Sequence, residues 1–293
     1  MTFAELCDRL RPEIVSFLHK FTADHVADER LRAGCLHLLG RGKLVRPLAL
    51  IVAARTFKPA ITEREYLHVA SALEFIHTFT LIHDDLPEMD NAKLRRGVAA
   101  VHVEFGSDLG LLVGDALFNL AFLALSEAPE LGATTRQRIL TEITGAVNAV
   151  IAGQAQELAL SASNATLEDI EEVERLKTGS LFACALACGA LLADADEQKM
   201  KDVREFALLV GHAFQVKDDL LSAVGDAQTV GKDLEQDATL QRPTIVRLLG
   251  VEAAQRRFEE LNEKARHTLA RLDTDVDTGM LQELQEALMR REK

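Results

Sequence analysis

The segment 83–97, HDDLPEMDNAKLRRG, sets Asp84, Asp85 and Asp90 directly before Lys93, Arg95 and Arg96. Carboxylates gathered at one point repel one another unless a cation lies among them. Mg²⁺ takes oxygen ligands, keeps several waters and completes its shell with substrate phosphates. Arginine adds forked donors that match phosphate oxygens, which a lysine cannot supply. Acids followed by arginines therefore suit a metal-bound polyphosphate, with a solvated loop of mixed charge as the plainer alternative. Asp84 and Asp90 are six residues apart, so a continuous helix would send them to different faces. Pro87 breaks the run and lets the chain turn Asp90 back toward Asp84.

A second acidic pair lies in FQVKDDLLSAVGD (214–226). Asp218 and Asp219 follow an apolar helical run, and Gln215 precedes Asp218 by three residues on the same face. Two such pairs, each able to hold Mg²⁺, could grip one diphosphate from opposite walls; an amphipathic helix with two exposed acids is the alternative. Lys217, Lys232 and Arg242 are nearby candidate cations. GRGKLVRP (40–47) places Lys43 and Arg46 at the start of an apolar run, beside glycines that allow close backbone approach, which suits a second anion site. His77 stands two helical turns before Asp84, though a lone histidine is more often a core or surface group. Lys177 and Thr178 precede Gly179, where a helix kink would free carbonyls toward a cavity. GQAQE (153–157) adds Gln154 beside a glycine.

The elements that must position these residues read as helices. The 293 residues hold 17 Gly and 6 Pro, with 48% hydrophobic residues, so breakers are few and a sizeable core can form. Apolar spacing of three and four predicts helices over 3–21, 28–39, 63–86, 107–127, 134–160, 167–193, 197–224, 251–272 and 277–291, and strand alternation is absent. The expected class is an all-α bundle with ligand sites between facing helices. A formal net charge of −13 argues against nucleic acid, whose phosphates need a basic face. The N-terminus lacks the order of a secretion signal, and Glu5, Asp8 and Glu13 speak against a transit peptide. The stretch 181–193 is too short to span a bilayer, so no stable membrane insertion is expected. The four cysteines have no framework spacing, which points to a reducing cytoplasm; Cys184 and Cys188 read as small core residues.

In this order and spacing, GKLVRP, LIHDDLPEMDNAKLRRG, LVGDALFNLAF, GQAQEL, KTGSLF, FQVKDDLLSAVGD and VGKDLEQD resemble the trans-isoprenyl diphosphate synthases, most nearly their bacterial farnesyl diphosphate synthase branch. The resemblance covers nearly the whole chain. It implies one polyprenyl synthase domain over 1–293, an isoprenoid synthase bundle around a deep central cavity, and a homodimer. It implies a prenyltransferase that condenses isopentenyl diphosphate with an allylic diphosphate, dimethylallyl or geranyl. Asp84 and Asp90, supported by Asp85, would hold two Mg²⁺, and Asp218 beside Asp219 a third. Arg95, Lys177, Thr178, Gln215 and Lys232 would hold the allylic diphosphate, and Lys43, Arg46, His77 and Arg96 isopentenyl diphosphate. Lys177 and Thr178 would face the developing allylic cation, so they join Asp84 and Asp218 as the catalytic set. Phe79, Thr80 and Phe118 would form the floor under the growing chain and favour a C15 product over C20 or C10.

The chain also departs from the pattern. Ser222 stands where the second acidic motif usually ends in Asp, which predicts weaker Mg²⁺ affinity there. Asn91, Ala92 and Lys93 replace further acids, and QRPTIV replaces a lysine–threonine element. Two other classes stay in view. A terpene cyclase would not need the second anion site, and a non-catalytic partner subunit should have lost its metal ligands.

Overall fold

Helix α1 (Phe3–His25) starts on a capping box in which Thr2 and Glu5 satisfy each other's backbone amides. Its Leu6, Leu10, Ile14 and Leu18 are fully buried. The computed structural model describes residues 2–160, 165–224, 243–272 and 276–290. The chain continues through α2 (Glu29–Leu38), α3 (Val45–Phe57) and α4 (Glu63–Asp84). After a short hairpin come α5 (Val101–Phe105), α6 (Ser107–Glu127), α7 (Ala133–Ala159) and α8 (Leu167–Glu174). A π turn (Arg175–Gly179) joins α8 to α9 (Ser180–Leu192), followed by α10 (Glu197–Val224), α11 (Ile245–Leu249), α12 (Val251–Leu272) and α13 (Gly279–Met289).

The expected all-α class is what the chain adopts, with local differences. α3 was not anticipated, because Pro47–Ala54 are buried on every side and leave no polar face to mark a helical period. The short α5 and α11 were not anticipated either. The expected absence of strands gives way to one antiparallel hairpin, β1 (Leu94–Arg95) with β2 (Val98–Ala99). The helix read over 167–193 is divided by the π turn, so the kink foreseen at Gly179 takes the form of a widened turn.

α3 and α9 form the centre, and they approach so closely that a Cβ at Gly189 would lie 2.2 Å from the Leu50 carbonyl oxygen. α4 packs along α6, and α10 lies against both α9 and α12. The loop ends of α3, α4 and α10 and the π turn carry the polar residues singled out above. Two described helical stretches, α6 and Leu167–Leu192, are long and apolar enough by composition to cross a membrane. The latter is 78% buried inside the protein, as a core helix would be.

Candidate active site

α4 ends at Asp84, and the chain then folds back on itself. The Asp90 amide donates to the Asp84 carbonyl at 2.8 Å, so the turn after Pro87 returns Asp90 as expected. Asn91 takes φ 51°, a conformation that asparagine tolerates, and its side chain accepts from Lys93 Nζ at 2.9 Å. The hairpin follows at once. Arg96 (φ 53°) and Gly97 (φ 78°) occupy its two turn positions, both left-handed, as a two-residue turn matching strand twist requires. That turn sends the two arginines apart.

Arg95 folds back onto Asp85, its Nε 3.0 Å from each carboxylate oxygen and its Nη2 also bonded to Oδ1. Asp85 is 1% exposed; burial raises its carboxyl against the pull of Arg95. The structure thus pairs two residues assigned above to different ligands, metal and diphosphate. Asp84 stays beside this pair. Burial pushes its carboxyl up to about 6, Lys177 opposes the rise, and Asp90 and Glu157 add to it. Asp90 raises both Asp84 and Asp85, a crowding of like charge that a divalent cation relieves.

The π turn links the two acidic segments. Lys177 Nζ donates to Glu157 Oε2 on α7 at 2.7 Å. Gly153, one turn before Glu157, makes room for this, since a Cβ there would stand 2.7 Å from Leu176 Cβ and 3.0 Å from Lys177 Cγ. On the other side, Thr178 Oγ1 donates to Gln215 Oε1 at 3.1 Å, and Gln215 Nε2 donates to Asp219 Oδ1 at 3.2 Å. Asp218 lies beside Asp219 on α10, half-buried, and Ser222 one turn further on. Lys217 sits over the Phe258 ring of α12, 5.6 Å from its centroid. Both amide atoms of Gln154 are buried without a hydrogen bond. Lys232 and Arg242 lie outside the described residues.

The residues expected to form a second anion site come from α3, α4 and the hairpin turn. Arg46 enters from the first turn of α3, behind the exposed Lys43 and a left-handed Leu44 (φ 53°). Arg96 reaches in from the hairpin; Nη1 donates to the Leu38 carbonyl at 2.9 Å and Nη2 to Glu74 Oε1 at 3.0 Å. His77 lies one turn after Glu74 on α4. Burial, then Arg46, Arg96 and Arg95, hold its imidazole well below the usual range, so it is neutral at pH 7. Burial likewise lowers Arg46 to about 10. At the third expected site, Phe79 meets Phe118 edge-on with centroids 5.0 Å apart, and Phe118 meets Phe122 at 5.0 Å. Thr80 is half-buried, its hydroxyl donating to the His77 carbonyl at 2.8 Å.

Glu74 and Glu157 were missed from the sequence. Neither stands in an acidic pair, and only its position in GQAQE could have marked Glu157, and its place inside an apolar run Glu74. Among the described residues no three acid, imidazole or thiol groups converge closely enough to hold a metal unaided. Cys184 and Cys188 are buried on α9 with sulfurs 3.8 Å apart, as core residues. A cavity of about 700 Å³ opens elsewhere, among Leu160, Glu171, Leu208, His212 and Arg257, and holds none of the expected site residues.

Comparison with known proteins places the chain among relatives of one family. The chain is 37% identical over 262 residues to farnesyl diphosphate synthase of Escherichia coli K12, covering 87% of each. It is 35% identical over 243 residues to geranylgeranyl pyrophosphate synthase 4 of Arabidopsis thaliana, covering 81% of this chain and 64% of that one. The crystal structure of a Helicobacter pylori geranyltransferase, complexed with magnesium and isoprenyl diphosphate, superposes with a TM-score of 0.81 at 26% identity, covering 96% of this chain and 95% of that one. The polyprenyl synthetase profile matches residues 28–277, and the chain belongs to the polyprenyl synthetase family.

Proposed function

We propose that this protein is a short-chain trans-prenyltransferase, joining isopentenyl diphosphate to dimethylallyl and geranyl diphosphate and delivering farnesyl diphosphate, with residues 1–293 acting as one domain. The observation that carries the reading is the divergence of Arg95 and Arg96 from one hairpin turn. One arginine serves the acidic segment and the other serves Arg46 and His77, so two anions can be held at once. A terpene cyclase handles one diphosphate and has no use for the second site. A non-catalytic subunit has no use for Asp84, Asp90, Asp218 and Lys177 together.

The acids suit Mg²⁺, three ions in all: Asp84 and Asp90, with Asp85 behind them, for two, and Asp218 with Asp219 for the third. Bound there, Mg²⁺ supplies positive charge to a departing diphosphate. Lys177, Arg95, Gln215 and Lys232 hold the allylic diphosphate, and Lys177 exchanges Glu157 for phosphate oxygens. The allylic C–O bond breaks and the diphosphate leaves with its electron pair. Thr178 and the carbonyls of the π turn face the cation, with water excluded. Lys43, Arg46, His77 and Arg96 hold isopentenyl diphosphate so that its double bond attacks the cation. The adduct then loses a proton to the departed diphosphate, and no protein nucleophile is required.

A second copy of the chain would cover the exposed Leu111 and Leu112 of α6 and Ile151 and Leu158 of α7. The four cysteines are free thiols, which suits the cytoplasm. The test is incubation with Mg²⁺, isopentenyl diphosphate and C5, C10 or C15 allylic diphosphate, read by mass spectrometry after dephosphorylation. C15 product from the C5 and C10 primers, and none from the C15 primer, is expected. A C20 product would make it a geranylgeranyl diphosphate synthase. No product from a folded protein would move it to the non-catalytic class.

A further inference from the structure

We infer that Glu74 is a positioning residue of the second anion site, its buried carboxylate holding the Arg96 and Arg46 guanidinium groups where the diphosphate of isopentenyl diphosphate must meet them; this rests on the function proposed above. Glu74 is 1% exposed in the middle of α4, between Leu73 and Phe75. A carboxylate so buried is retained at a cost unless it is paired. Its pairing is one-sided. Oε1 accepts from Arg96 Nη2 at 3.0 Å and lies 3.5 Å from the Thr78 hydroxyl, while Oε2 is buried with no hydrogen bond. Arg46 acts on it through space, and Arg46 Nε is itself buried and unbonded.

Two guanidinium groups, a neutral imidazole and one carboxylate thus share a buried volume with formal charge +1. Without Glu74 the two arginines would repel each other with nothing between them. Of the two, Arg96 is the one bonded directly to Glu74. Its backbone is in a turn, and the Leu38 carbonyl and Glu74 hold its two terminal nitrogens. Its plane rests on Gly42, where a Cβ would stand 2.7 Å from Cζ. Three elements therefore fix this side chain before any ligand arrives, and such preorganisation lowers the ordering cost of binding.

The alternative is that Glu74 merely balances charge, and the two roles differ in sign. If it only balances charge, Glu74→Gln removes a repulsion and isopentenyl diphosphate binds more tightly. If it positions, the charge-assisted bond becomes a neutral one and the KM for isopentenyl diphosphate rises about tenfold. The KM for the allylic primer and kcat at saturation should stay within about twofold, a split that general loss of packing would not give. Glu74→Asp, charged but one methylene short, should fall between. Gly42→Ala displaces Arg96 without touching Glu74 and should give the same split, which keeps the inference open to refutation if Glu74 variants fold poorly. Wild-type turnover with an unchanged or lowered isopentenyl diphosphate KM in Glu74→Gln overturns the inference and leaves the function standing. A wild-type protein with no turnover removes the function and the inference together.

Discussion

His77 is the residue whose charge state decides most about the second anion site. Burial and three neighbouring arginines keep it neutral, so to the diphosphate proposed above it would offer a hydrogen bond and no charge. Glutamine supplies a neutral donor of similar reach, and His77→Gln should leave the KM for isopentenyl diphosphate within about threefold. The same substitution should alter acid stability. In the folded chain the imidazole resists protonation, whereas unfolded it takes a proton below about 6.5. Stability from this group is full above that pH and falls as pH falls through it. The wild type should therefore lose more melting temperature between pH 7 and pH 5 than His77→Gln; equal losses would mean that His77 is charged when folded. At this scale the cations were legible in the sequence and their carboxylate partners were not. Arg46, Arg95, Arg96 and Lys177 stand in unusual contexts, beside glycines or acids, that advertise anion binding. Glu74, Glu157 and the turn of Asp85 toward Arg95 depend on contacts across 20 residues or so, or on a hairpin turn that no apolar period encodes.

Among the elements, the π turn bears most directly on the chemistry, because it holds Lys177 against α7 and Thr178 against α10 at once. Its seat on α10 is Gly211, where a Cβ would lie 3.0 Å from Gly179 Cα. Gly211→Ala should push the turn away from Gln215 and lower kcat/KM for the allylic primer by about tenfold to a hundredfold, with isopentenyl diphosphate KM little changed. Steady-state kinetics with each substrate varied in turn would check this; equal losses for both substrates would point to a general change in fold. The aromatic contact between α4 and α6 makes a separate prediction. Phe79, five residues before Asp84 on α4, meets Phe118 edge-on, and the proposed floor lies at this contact. Phe79→Ala should open it and add C20 or longer material to the C15 product, seen by mass spectrometry, whereas an unchanged C15 product would put the floor elsewhere. Helices with one wet face were legible from their period. α3 was not, since burial on all sides erases the polar residues that phase a helix.

At the scale of the whole molecule, α6 poses a question that one chain does not answer. It is among the most apolar helices here, yet only half of its most apolar window is buried. Leu111 and Leu112 are 48% and 53% exposed, and on α7 Ile151 and Leu158, seven residues apart on one face, are 57% and 58% exposed. Exposed side chains of this size on two long helices leave apolar surface open to a partner. If a second copy is that partner, as proposed above, closed two-fold symmetry lets each chain cover the other's exposed side chains. Sedimentation should then give twice the chain mass of 32.2 kDa. Leu112→Glu combined with Ile151→Glu should give the single-chain mass with the helical signal kept. Salt dependence separates this interface from one held by ion pairs. Each copy carries a formal charge of −13, so two copies repel at long range, and salt screens that repulsion. Apolar contact is not weakened by moderate salt, so the dimer should tighten as ionic strength rises. Dissociation on adding salt would mean that charged groups, and not α6 and α7, hold the copies together.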